Sequence, residues 1–280
     1  MTRAVVVLSG GGAKTAAHAG AVRALLEAGI TPARYVATSM GAVVAAALAA
    51  GVPPGEVPGR LAAVGPAGVK AHPLASVGGL YLDGILQTAP FRAAVRQGVP
   101  AQRFAELAVP LTVTAVDLNR LELLCFGHGG LEAPLLDVLT ATCALPPYFA
   151  AVPWEGRSLA DGGLRGPLPL AAVGADEGLP VVAVDVGPGF DLGDAPRPAR
   201  GPALVRAADS AIGILMAQTV ADQLALWHAS GRTLAYVRPR VERDATFRIE
   251  RMQDYADEGY RATRATLAAL DSSGSRANFR

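Results

Sequence analysis

The chain of 280 residues is 51% hydrophobic and 18% charged, with 25 Lys and Arg against 24 Asp and Glu, a formal net charge of +1. That apolar fraction supplies a large buried core and excludes a disordered chain. The charge balance excludes a strongly basic nucleic-acid binder or a surface drawn to anionic membranes by charge alone.

Ala4 to Leu8 is a short apolar, β-branched run that stops at Ser9-Gly10-Gly11-Gly12, as a buried parallel strand entering a glycine turn does. A helix is predicted over about Lys14 to Ala28, with Gly29 as its stop. Tyr35 to Thr38 reads as a second strand running straight into Ser39-Met40-Gly41 and an Ala/Val/Leu helix to about Ala50. Strand, helix, strand, helix at this pace implies right-handed βαβ units. Residues Gly51 to Gly79, broken by five prolines, are expected to be loop and short helix forming a rim or lid. Further strands are predicted at Leu111–Val116, Glu122–Phe126, Arg157–Ala160, Val181–Val186 and Thr233–Val237. Helices are predicted at Leu135–Ala144, Ala203–His228 and Gln253–Leu270, and Pro188–Pro202 reads as a mobile loop. The fold class is α/β: one domain over 1–270, with a mainly parallel central sheet flanked by helices, and a disordered tail over 271–280.

Two cysteines, Cys125 and Cys143, lack ligand-like spacing, so neither a disulfide framework nor a metal site is expected, and a reducing compartment fits. No apolar targeting segment is read before the first strand, and the longest apolar run, Met40 to Val52, is short for a membrane span. A soluble, cytoplasmic protein is the expectation.

Gly10-Gly11-Gly12-Ala13-Lys14-Thr15 places flexible backbone and free N–H groups at a helix N-terminus, a setting that suits an anion. A nucleotide P-loop would need glycines where Leu8 and Ala13 stand, and the dinucleotide fingerprint would need one at Thr15. A transient oxyanion remains, beside the plain alternative of a tight turn without a ligand. Lys14 reads as a solvated residue of the first turn.

Ala37-Thr38-Ser39-Met40-Gly41 has the strand-turn-helix setting of a nucleophile elbow, in which small residues flank the serine because backbone segments come close. Ser39 as a mere helix N-cap is the alternative. A glycine turn one βα unit earlier favours the elbow, since both features then lie at the carboxyl edge of a parallel sheet. The four histidines offer no obvious base. His18 falls in the first helix and is expected to be internal; His72 and His128 lie in Pro/Gly-rich loops; His228 ends a long helix. Asp161, followed by Gly162-Gly163, can approach another backbone segment closely, although Asp-Gly also marks ordinary turns.

Taken together, Gly10-Gly11-Gly12-Ala13-Lys14-Thr15, Ala37-Thr38-Ser39-Met40-Gly41 and Asp161-Gly162-Gly163 resemble, in type and order, the motifs of the patatin-like phospholipases. His18-Ala19-Gly20, Asp117-Leu118 and the run Ala141 to Phe149 extend the resemblance. The departures are Thr15 and Ala37, where the family carries glycine. The resemblance implies a patatin-like fold with Ser39 as nucleophile and Asp161 as base of a Ser–Asp dyad. It also implies an oxyanion hole built from the Gly10–Gly12 turn, no cofactor, and a lipid or other acyl-ester substrate met through transient membrane contact. Two rivals stand beside it. One is a Ser-His-Asp α/β-hydrolase using His228, and the other a non-catalytic protein holding a nucleotide or lipid on the glycine turn.

Overall fold

The computed structural model describes residues 2–68, 70–71, 84–174, 178–189, 203–242 and 248–272. His72, residues 190–202 of the expected Pro/Gly loop and residues 273–280 of the expected tail lie outside the described residues. So do residue 69 and residues 72–79 of the expected rim.

The strands are β1 (Thr2–Leu8), β2 (Ile30–Thr38), β3 (Leu111–Asp117), β4 (Glu122–Gly127), β5 (Val152–Trp154), β6 (Arg157–Asp161), β7 (Val181–Val184) and β8 (Leu234–Val237). The helices are α1 (Ala16–Glu27), α2 (Ser39–Ala49), α3 (Val57–Gly68), α4 (Thr88–Gly98), α5 (Leu135–Thr142), α6 (Ala203–Ala229) and α7 (Met252–Ser272). They surround one eight-stranded sheet in the order β5-β6-β3-β2-β1-β7-β8, with β4 also paired to β3. The five strands β3-β2-β1-β7-β8 run parallel, while β4, β5 and β6 join antiparallel at one end.

β1 sits in the middle of the parallel part. Val5, Val6, Val7 and Leu8 are fully buried, as continuous apolar strands covered on both faces should be. Each such side chain contributes roughly 1.5–3 kcal/mol by leaving water. On one face α1 and α7 cross so closely that a Cβ on Gly20 would overlap the Ala256 carbonyl, and one on Gly259 the Ala17 carbonyl.

Four observed elements, α3, α4, β5 and α7, depart from the expectation. The proline-broken stretch contains a twelve-residue helix, α3, whose Pro58 occupies the first turn, where a missing N–H does no harm. α4 and the short strand β5 had no counterpart in the expectation. α4 is amphipathic, burying Phe91, Ala94 and Val95, and Phe91 meets Phe149 with ring centroids 4.9 Å apart. α7 runs on through Asp271 and Ser272, so the first two residues of the expected tail are helical.

The sheet positions the site through an exchange of strands on β3. β2 occupies one edge of β3 as far as the pair Thr38–Thr114. β6 takes over the same edge at the next residue, with Ala115 opposite Asp161. Ser39 therefore leaves β2 at the point where Asp161 arrives from the opposite direction, 122 residues later in the chain.

Candidate active site

Ser39 follows the last residue of β2 and opens α2 with φ 54°, a left-handed conformation that a non-glycine residue adopts only under constraint. The constraint is visible on both sides. The Ser39 N–H donates to Thr142 Oγ1 at 2.7 Å, and the Thr142 hydroxyl donates onward to the Thr114 carbonyl at 2.6 Å. Beneath the turn, a Cβ on Gly41 would overlap the Ser9 carbonyl oxygen, so only glycine lets α2 start this close to the end of β1. Ala37 is fully buried and accommodated within the sheet.

The Ser39 hydroxyl donates to Asp161 Oδ2 at 2.7 Å. The other carboxylate oxygen accepts from the Gly163 N–H at 2.7 Å, which fixes the carboxyl plane. Gly162 is required between them because a Cβ there would overlap the Thr114 carbonyl oxygen and the Thr38 hydroxyl. Asp161 is 2% exposed. Burial pushes its carboxyl from 3.8 up to about 7, and the bonds from Ser39 and Gly163 only partly offset that rise. A second buried carboxylate at the same sheet edge has a different environment: Asp185 pairs with Arg238 at 3.0 Å and accepts from the Tyr236 hydroxyl and the Gly187 N–H. Among the described residues no cation pairs with Asp161.

The glycine turn follows β1 directly. Ser9 anchors it three ways: its hydroxyl donates to the Gly10 carbonyl and accepts from the Val186 N–H, and its carbonyl accepts from His18 Nε2 at 2.8 Å. His18 is fully buried, and burial lowers it to about 4, so the ring is neutral near pH 7 and Nε2 carries the proton. This is the internal role expected for it.

The Gly10 N–H is taken by the Pro167 carbonyl at 2.9 Å, a correction to the expectation that all three glycines serve an oxyanion. Among the described residues the N–H groups of Gly11 and Gly12 donate to no protein acceptor. Gly12, at φ 61°, begins a 3-10 turn that leads into α1, where first-turn amides are left open. Gly10 faces the serine, since a Cβ there would lie 3.0 Å from Ser39 Cβ. Thr15 does not enter the cleft: its hydroxyl turns back to the Gly12 carbonyl at 2.7 Å. Lys14 is not solvated as expected but 3% exposed, beside Gly11.

Met40 is half-buried and packs against the core next to Ser39. The Cys143 thiol, buried beside Ser39 and Asp161, is raised well above its usual range by burial and then by the Asp161 charge, so it stays protonated. His128 and His228 are both exposed, and neither bonds to Ser39 or Asp161. Thr142, Ser9 and Pro167 complete the site without having been singled out from the sequence. Thr142 and Ser9 contribute hydroxyls, and Ser9 and Pro167 contribute backbone carbonyls.

Among the described residues no group of His, Cys, Asp and Glu could hold a metal. The arrangement is a hydroxyl hydrogen-bonded to a poorly solvated carboxylate, next to a glycine turn that carries two open amides. A hydroxyl and a carboxylate so placed can exchange a proton.

A family model described as patatin-like phospholipase matches residues 6–173. An uncharacterized NTE family protein of Mycobacterium bovis is 31% identical over 181 residues, covering 61% of this chain and 45% of that protein, and one of Mycobacterium tuberculosis matches equally. The match thus spans less than half the length of these relatives. Among solved structures, VipD from Legionella pneumophila superposes with a TM-score of 0.48 at 15% identity, covering 96% of this chain and 67% of that one. The type III effector protein ExoU gives a TM-score of 0.43 at 16% identity, covering 96% and 53%.

Proposed function

The chain belongs to the patatin-like phospholipase family, and on that footing we propose that it is a serine hydrolase of lipid acyl esters, with Ser39 as nucleophile and Asp161 as its general base. The observation that carries this reading is the 2.7 Å hydrogen bond from the Ser39 hydroxyl to a carboxylate held at about 7. A free aspartate near 3.9 is a weak base at neutral pH. One near 7 is matched to the task while still ionised in about half the molecules.

In the proposed reaction Ser39 Oγ attacks the ester carbonyl and passes its proton to Asp161. The tetrahedral oxyanion accepts hydrogen bonds from the Gly11 and Gly12 N–H groups, whose positions Ser9, His18 and Pro167 set in advance. Asp161 then returns the proton to the leaving alcohol as the C–O bond breaks, leaving an acyl-Ser39. Water, deprotonated by the same carboxylate, attacks that ester; Asp161 finally reprotonates Ser39 and the fatty acid departs.

Two observations support this reading over its rivals. His228 makes no bond to the pair, and a triad would need one. A nucleotide site would need Lys14 and Thr15 available to phosphate, whereas Lys14 is buried and the Thr15 hydroxyl is spent on Gly12.

The experiment is hydrolysis of a radiolabelled phosphatidylcholine and of a soluble short-chain ester by the purified protein and by Ser39→Ala. Both activities should vanish in the variant. Activity that survives Ser39→Ala would refute the assignment.

A further inference from the structure

α6 is a 27-residue helix whose apolar content would suffice for a membrane span, yet only 11% of its most apolar window is buried. Its inner side, through Ala217, Val220 and Trp227, rests on the body of the protein. The outer side carries Leu204, Ile214, Leu215 and Leu226, each at least 62% exposed, which is half of the exposed large hydrophobics among the described residues. Helical spacing puts Leu204, Ala211, Leu215 and Leu226 on one stripe. Ala207, Ile214, Ala221 and Ala225 lie beside it, so the apolar face is broad. Its polar members, Gln218 and Asp222, bond to each other.

This helix adjoins the candidate active site. Met216 Cε lies 3.3 Å from where a Gly163 Cβ would stand, Gln223 reaches Gly166, and Asp209 accepts from the Tyr148 hydroxyl. Across the Asp161–Arg165 turn a second apolar feature appears. Leu121, at the tip of the β3–β4 turn, is 67% exposed with φ 57°. Glycine or asparagine would hold that backbone more easily, so a leucine there sits against both its conformational and its solvation preference. The Arg165 guanidinium donates to the Leu121 carbonyl and ties this tip to the catalytic turn.

We propose that the outer face of α6 and the Leu121 tip form one docking rim that inserts into the acyl-chain boundary of a lipid surface and sets the Ser39 opening against it. The inference rests on the lipid-ester reading, which supplies the reason for such a rim. A coiled-coil partner fits less well, because that seam is narrow and flanked by charged residues, whereas this face is broad and flanked by alanines. The helix lies on the surface and does not cross it, since its inner side is committed to the protein.

The test is co-flotation of the full chain with phosphatidylcholine vesicles at high salt, which mutes charge-driven adsorption. Wild type and Ser39→Ala are expected to float alike. The double variant Leu215→Gln/Leu226→Gln should lose at least ~tenfold in partitioning. Leu121→Asn, which relieves the strained turn and so preserves folding, should also partition more weakly. Both should hydrolyse a soluble short-chain ester at the wild-type rate. Folded wild type that fails to float, or variants that float as well as wild type, would overturn the inference. So would light scattering that shows a dimer which the variants dissolve, without vesicle binding. Flotation that follows the variants in a protein inactive on every ester would leave the rim standing and sink only the hydrolase reading.

Discussion

Asp161→Asn separates what the carboxylate does for chemistry from what it costs in stability. The asparagine amide can satisfy both existing partners: its oxygen can accept from Gly163 N–H and its NH2 can donate to Ser39 Oγ, which also has lone pairs to offer. Geometry should survive while the base is lost. General-base catalysis is worth ~10²–10⁴-fold, so kcat/KM should fall by at least ~100-fold, about 2.7 kcal/mol of barrier.

Stability should move the other way. The folded carboxyl is held at about 7, above its unfolded 3.8, so the stability it contributes is present below 3.8 and lost as pH rises through 7. Once ionised it opposes folding by at most about 4 kcal/mol, which the neutral amide avoids. Thermal melts of wild type and variant at pH 4 and pH 8.5 read this directly. The variant should melt several degrees above wild type at pH 8.5, at ~2–4 °C per kcal/mol, and near it at pH 4. A variant no more stable than wild type at pH 8.5 would refute the claim that Asp161 is buried at the expense of its charge.

Other consequences are open to measurement. The kcat/KM of wild type should rise with pH up to about 7 and level off as Asp161 ionises; a break near 4 would mean a solvated carboxylate. Thr142→Val deprives the Ser39 N–H and the Thr114 carbonyl of partners, which should destabilise the protein by ~1–3 kcal/mol in urea titrations and lower kcat, with Thr142→Ser restoring both. Ser39→Gly should be more stable than Ser39→Ala by about 1 kcal/mol, because the turn holds φ at 54°. Gly41→Ala should fail to give a native fold, whereas Ala37→Gly should remain folded and active.

What could be read from the sequence was local. β1, the glycine turn, β2 and the serine turn each announce themselves within about ten residues, because a strand, a tight turn and a helix start place strict demands on size and backbone. Asp161 was also visible, through the glycines that let it approach β3. The partners that hold these groups were not. Thr142 reaches Ser39 from 103 residues away, and Pro167 intercepts the Gly10 amide through a carbonyl that any residue could supply. Lys14 reads as a surface residue by type, and only the packing around Gly11 buries it. α4 is faint in the sequence because Phe91 and Val95 are its only large apolar residues, and what fixes it is Phe91 meeting Phe149 from another segment. The exposure of α6 could not have been foreseen, since its composition is that of a core helix.

The most direct test of the central claim is active-site labelling with a fluorophosphonate and mapping of the adduct by mass spectrometry. The account predicts a single adduct on Ser39, absent in Ser39→Ala and formed much more slowly in Asp161→Asn. A folded protein that takes no label at Ser39, or takes it equally fast without the Asp161 carboxylate, would contradict it.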